Sequence, residues 1–590
     1  MITPLEKRAE HTVALHGEML AATTRPERRQ EISVQLEAIK NSDDWQLSCF
    51  LVERANDHSG SFFGASMLYE IVKNHSAHLL EYPEVTETVR TFLFNVLSQG
   101  ADSKSQSLIN KLSSSMAMFA MNCIPDVWDN CIYDMTSAWS SQPELLLRVL
   151  AEMPIEFYNL KVSLPHRSTI KSVLQRESQS VIKIIQTVFS QPDSPPSLCN
   201  AAIECVESWM KLPNVSVLEW KPILIPIFTL TNQDGATIAR LLSILHSKEE
   251  LGKLDAFVLE IAECIAYPII PSLVEQMSTT EFRDSSGDPI INLEDEIEHI
   301  TTLISAISSF SEIYVYTLCK HAFVNAEESE NKSLQILRTL CTFFLTISSF
   351  PGQYPIEECF SEIPDNFWSE LRMALTSTQD GTHNKLQKNF FHTCEQEYYA
   401  NFIQLLVPKL AFSSGIRTKF SMEEMEKWEM YRMIRLEAAR NAFLFFERTT
   451  MKVLLAALHQ AAATRNLFQA EAVFHILQFF GDLIADKTVK YLVEMINIAT
   501  ATDFSIGFDE VDARLYAVTL LKVIENTASC VVGCAEEGDT ACIEICEKSV
   551  GVALNYMNIP GMSEHCFLSL QRLLEGRTDV NNVRSLFYRH

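Results

Sequence analysis

The chain has 590 residues, 47% of them hydrophobic, enough apolar material for a large packed core and too much for global disorder. Only 17 are glycine and β-branched alternating runs are rare, which argues against Rossmann, P-loop and barrel folds, since these spend glycine on tight turns. Seventy-five acids against 48 bases leave a formal charge of −27, a surface that repels nucleic-acid phosphate and favours basic protein partners.

The start, MITPLEKRAEHTVALHGEML, carries Lys7, Arg8 and several acids, with no apolar core of signal-peptide type. No stretch approaches about 18 uninterrupted apolar residues. The chain is therefore expected to be soluble and intracellular, with no membrane partner. Periodicity predicts a first helix pair over 5–21 and 27–40, with Pro26 near the start of its second member. Residues 43–75 predict two short helices around the polar turn Asn56–Gly60. On the second, Phe62, Ala65, Leu68, Tyr69 and Val72 form the packing arc, while Glu70 and Asn74 lie away from it and Ser66 and Lys73 sit at its edge. Pro83–Leu97 and Lys104–Met121 predict a third pair, with Gly100 ending one helix and Asp102 or Ser103 capping the next. Asn110, Ser113 and Ser114 face away from its apolar side.

Pro125 is expected to open the helix PDVWDNCIYDM, and Pro143 to open PELLLRVLAEM. Helices follow over 167–189, 196–211, 218–231, 236–247 and 250–276, then a polar acidic insertion from Glu281. Others are expected over 293–323, 332–349, 365–377, 386–412, 422–462, 465–485, 509–531, 540–557 and 561–575. Roughly forty residues per helix pair, without strands, is the spacing of HEAT-type α-solenoids. The expected fold is all-α: a HEAT-repeat, armadillo-like α-solenoid coiled into a right-handed superhelix.

Fifteen cysteines, mostly on apolar helical faces as at Cys205 and Cys341, suit a reducing compartment as small core residues. Cys530, Cys534, Cys542 and Cys546 form two C-x3-C pairs. Four thiolates brought together by two helices could hold a structural zinc, but i,i+4 cysteines also arise where a helix buries small residues, and no C-x2-C knuckle is present. No metal and no cofactor is expected. H-E-x-x-H, G-x-x-x-x-G-K-[ST], G-x-S-x-G and G-x-G-x-x-G are all missing from the sequence, and histidines such as His166, His246 and His392 are scattered without sequence-local acid or nucleophile patterns, so catalysis is not expected. The acidic stretches Glu294–Glu298, Glu327–Glu330 and Glu423–Glu426 are either surfaces for basic partners or solvated faces. Trp45, Phe63, Leu68, Trp128 and Trp209 are expected in the core.

Several segments, in order, resemble the importin-β superfamily of nuclear transport receptors, within it the importin-13/transportin-3 branch. They are Trp45–Ser48, Phe63–Leu68, the MNCIPDVWDNCIYDM run from Met121, LLRVLAEMPIEF (Leu146–Phe157), ECVESWMKL (Glu204–Leu212), FPGQYPIEE (Phe350–Glu358) with Phe367 and Trp368, and WEMYRMIR (Trp428–Arg435). Members of that branch continue well beyond the equivalent of residue 590, so a C-terminal arch is expected to be missing. The resemblance implies a receptor that shuttles between nucleus and cytoplasm, binds Ran-GTP and protein cargo, touches Phe-Gly nucleoporins weakly, and makes no direct contact with nucleic acid. It implies a Ran-binding region within 1–158 and a cargo-binding arch over 159–590. The Ran surface would lie on the second helices near 27–40, 61–75 and 104–121, with Ser66, Glu70, Lys73, Asn74, Asn110, Lys111 and Ser114 as the contact candidates. Two alternatives stay open: a transportin-3-like importer of Ser/Arg-rich splicing factors, and a HEAT scaffold without Ran-dependent transport.

Overall fold

The computed structural model describes residues 3–54, 58–100, 105–191, 194–213, 215–229, 235–279, 294–323, 331–377, 385–413, 415–557 and 559–575. Among them helix follows helix and there is no strand. The expected residues Asn56, Asp57, Asp102, Ser103 and Glu327–Glu330, and the acidic insertion as far as residue 293, lie outside the described residues. The fold is the all-α, HEAT-type helical repeat that the spacing predicts. The chain divides into two compact units, Met1–Gln233 with Arg240–Phe257 and Asp234–Ala239 with Val258–His590.

In the first unit the second helix of each pair stands beside the second helix of the next. Pro26–Lys40 adjoins His58–Asn74, which is followed by Gln106–Cys123, Pro143–Asn159 and Pro196–Met210. The first helices Trp45–Arg54, Pro83–Gly100 and Leu164–Phe189 cover the backs of their partners. A helix in this row is packed on several sides, so Met67, Leu68, Ile71 and Val72 are wholly buried. Gly64 sits at the closest crossing: a Cβ there would stand 2.7 Å from Leu51 Cβ and 3.0 Å from the Ser48 carbonyl oxygen. Only a residue without a side chain lets these two helices approach so closely.

Pro154 lies inside Pro143–Asn159 and lacks the N–H that would bond the carbonyl four residues back. That carbonyl, of Leu150, instead accepts the indole N–H of Trp209 at 2.8 Å, from the next second helix. Both residues are buried, so an unmet carbonyl would be costly. The leucine-rich segment and the ECVESWMKL segment are thereby joined.

In the second unit Glu294–Ala322, Asp365–Thr376, Met422–Phe445, Leu467–Phe480, Glu510–Glu536 and Ser563–Glu575 form the corresponding row. Lys332–Ser348, Ala400–Leu410, Glu447–Thr464, Asp486–Ala501 and Thr540–Tyr556 form the layer of first helices behind it.

Several local expectations are corrected. Pro125 opens a turn, and the helix begins only at Cys131. Buried Trp128 occupies that turn, its indole donating to Asp134 Oδ2 at 2.8 Å. The helix expected over 422–462 is two, broken at Phe446 with φ −135°. No glycine or proline marks the break; Phe446 packs against Phe391 and Tyr399 at 5.1 and 5.4 Å, and this aromatic cluster turns the chain. Asp486–Ala501 is a helix the periodicity did not predict. The long helices over 255–279 and 385–410 each contain one π-helical stretch, Ile265–Ile269 and Cys394–Tyr399. Of the expected packing arc Ala65, Leu68, Tyr69 and Val72 are buried and Phe62 alone is exposed, at 41%; Ser113, expected to face away from the apolar side of Gln106–Cys123, is buried as well. Trp128, Trp209, Phe63 and Leu68 are buried and Trp45 is half-buried.

Among the described residues three helical stretches, Asp255–Thr279, Asp295–Ala322 and Glu510–Glu536, are long and apolar enough to cross a membrane by length and composition. Here, 56 to 61% of each apolar window is buried inside the protein.

Candidate protein-binding face

Ser66, Glu70, Lys73 and Asn74 rise along one side of His58–Asn74, and Asn110, Lys111 and Ser114 along the neighbouring Gln106–Cys123. The two helices adjoin, so these residues are brought together. They are joined by groups the sequence reading had not placed there. Tyr69, expected as packing, is the centre: the Lys111 ammonium lies 3.5 Å and the Lys73 ammonium 5.4 Å from its ring centroid. Its hydroxyl donates to Glu156 Oε2 at 2.9 Å, on Pro143–Asn159, the next helix of the row after Gln106–Cys123.

Hydrogen bonds extend the strip in both directions. Asn74 donates to Glu70 at 2.8 Å and accepts from Lys161 at 2.8 Å. Ser114 donates to Glu152 at 2.9 Å, and Asn110 accepts from Gln106 and Arg148 at 2.8 and 3.0 Å. Arg148 in turn holds Glu144 at 3.0 Å. Ser66 is half-buried, one turn before Glu70. The additions Glu152 and Glu156 stand four residues apart in LLRVLAEMPIEF, a spacing that puts both on one helix side away from the leucines. That spacing was the available signal.

Burial shapes the ionisation of the strip. It lowers the Lys111 ammonium, with Glu156 and Glu70 opposing. It raises Glu152 and Glu156 above the usual carboxylate range, against hydrogen bonds from Ser114 in one case and from Asn159 and Tyr69 in the other. The Tyr69 hydroxyl is raised by burial and by Glu156. The result is a strip of alternating donors and acceptors across three helices, suited to polar recognition of a protein surface.

The cysteine cluster is different. Burial pushes the Cys542 thiol up to about 12, with Asp539, Cys534, Cys546 and Cys530 near enough to contribute. Among the described residues no three His, Cys, Asp or Glu side chains are grouped so as to hold a metal ion.

The model of the family "Exportin 1-like protein" matches residues 105–241, which include Asn110, Lys111, Ser114, Pro154 and Trp209. Importin-13 of Gallus gallus is 20% identical over 367 residues, covering 60% of this chain and 35% of that protein. Importin-13 of Homo sapiens is 20% identical over 407 residues, covering 66% and 38%. The aligned region thus spans less than two-fifths of the length of these relatives. A solved structure of importin-13 in its cytosolic state superposes with a TM-score of 0.59 at 16% identity, covering 87% of this chain and 55% of that one, a likeness of fold. Family model, curated relatives and fold point the same way: the chain is similar to the importin-β superfamily and, within it, to importin-13.

Proposed function

We propose that the chain acts as a nuclear transport receptor whose N-terminal second helices bind Ran-GTP and whose later repeats carry protein cargo. Cargo and Ran-GTP then compete for, or strain, one repeat array, which makes release a coupling between two binding events without a covalent step. Weak contacts with Phe-Gly nucleoporins and shuttling between nucleus and cytoplasm complete the reading. The division into a Ran-binding part within 1–158 and a cargo-binding part over 159–590 belongs to the same proposal.

One observation carries it. The polar strip from Ser66 to Asn74, through Lys111 and Tyr69 to Glu156, crosses three successive second helices and enters the stretch that matches the exportin 1-like model. The net charge of −27 supports cargo with basic surfaces. The test is a pull-down with Ran loaded with GTP or with GDP. Selective capture of the GTP form supports the receptor reading; equal or absent capture overturns it.

A further inference from the structure

Helix Met422–Phe445 has one buried face, and among the described residues its opposite face carries exposed apolar side chains interspersed with charged ones. On the covered face Trp428, Tyr431, Leu436 and Phe443 are buried. Arg432 reaches the buried Glu471 at 2.6 Å, and Arg435 lies 3.2 Å from Asp365. These contacts fix the helix about its axis. On the opposite face Met422, Met430, Met433, Ile434 and Leu444 remain 82, 61, 55, 47 and 47% exposed. At 100° per residue the five fall within an arc of about 120°. Asn441 donates to Ser369 at 3.0 Å and ties the neighbouring second helix alongside. One turn beyond Ser369, Met373 is exposed too.

Single exposed apolar side chains are ordinary, but five on one helix face mark a surface that meets something. Methionine is unbranched and polarisable, and it packs against partners of varied shape. Glu423, Glu426, Glu429 and Glu437 are exposed among or beside these side chains. Lys427 pairs with Glu423 at 2.8 Å and Arg440 lies 4.0 Å from Asp482, which leaves Glu426, Glu429 and Glu437 to favour a cationic partner, while a second copy of a chain carrying −27 is disfavoured.

We propose that this face docks an amphipathic basic segment of a partner protein, its apolar residues seated among Met430, Met433 and Ile434 and its lysines or arginines against Glu426, Glu429 and Glu437. In naming that segment as cargo the proposal rests on the transport reading; the docking itself requires no Ran.

The test uses the full chain without Ran or nucleotide, and a designed 18-residue helical peptide of leucine and lysine with leucines at i, i+3, i+4 and i+7. Fluorescence anisotropy is expected to show binding that Met430→Ser with Met433→Ser weakens by roughly tenfold or more. Glu426→Gln with Glu429→Gln and Glu437→Gln should weaken it and flatten its salt dependence. A control peptide with every leucine replaced by serine should bind roughly tenfold more weakly than its parent. Unchanged binding by the methionine variant, or equal binding of the control peptide, overturns the proposal. So does sedimentation showing a dimer that the methionine variant converts to monomer, which would assign the face to a second copy. Failure here alongside selective Ran-GTP capture removes the docking face alone, whereas peptide binding without that capture leaves the face and removes the transport role.

Discussion

The indole N–H of Trp209 donates to the carbonyl of Leu150 at 2.8 Å, and that carbonyl is the one Pro154 deprives of its helical partner. A proline that would otherwise weaken its helix becomes a docking point for the next repeat. Trp209→Phe keeps an aromatic ring in the buried site but leaves the carbonyl unmet, and should cost about 1–3 kcal/mol. Adding Pro154→Ala to that variant restores an N–H at position 154 and should recover part of the loss. Amide exchange of Pro143–Asn159 and Pro196–Met210 is the measurement, since a long repeat array need not unfold in one step. Equal protection in wild type and Trp209→Phe would show that the bond contributes nothing.

Gly64 and Gly17 form a matched pair of opposite sign. An added Cβ at Gly64 meets Leu51 at 2.7 Å, whereas at Gly17, inside Pro4–Leu20, it meets nothing within 4 Å. Gly64→Ala should therefore destabilise the second helix pair by about 1–3 kcal/mol through overpacking. Gly17→Ala should stabilise its helix by roughly 0.5–1 kcal/mol. Thermal midpoints compared with wild type check both signs.

Lys73 and Lys111 differ in what their substitution disturbs. Lys111 is half-buried over the Tyr69 ring, so its reversal would also loosen packing between two helices. Lys73 stands farther from that ring and is the cleaner probe. If the polar strip binds Ran-GTP, Lys73→Glu should lower the affinity by roughly tenfold. Titration of GTP-loaded Ran reads this directly, and an unchanged affinity removes Lys73 from the interface.

Asp365 gives the second unit a dependence on pH. Burial pushes its carboxyl up to about 7, with the neighbouring Arg435 opposing. An unfolded aspartate titrates near about 3.9, so between these values the folded chain holds the proton more tightly. The resulting stability is fully present below about pH 4 and lost as pH rises through the folded value. Asp365→Asn does not titrate. The stability of wild type relative to this variant should therefore fall by a few kcal/mol, in order of magnitude, between acidic and mildly alkaline conditions. Urea midpoints of both proteins at several pH values provide the check, and a constant difference would exclude the effect.

Helix positions were legible in the amino-acid order because apolar spacing, proline starts and glycine stops are local. Pro26, Pro83, Pro143 and Pro196 do stand at helix starts. Family resemblance was legible as well, and Trp209 with Pro154 shows one physical reason two of its segments occur together. What needed the tertiary structure was every choice made by a neighbouring helix. Periodicity finds one apolar arc, but a helix in the middle of a row packs against several partners, which buried Ser113 and left Phe62 outside. The break at Phe446 came from the Phe391 and Tyr399 rings beside it, with no local turn residue to announce it. Lys111 and Tyr69 lie more than forty residues apart in the chain, and only the stacking of two second helices made them one site. Local propensity placed the helices; contacts between repeats decided which of their sides are core and which are open to a partner.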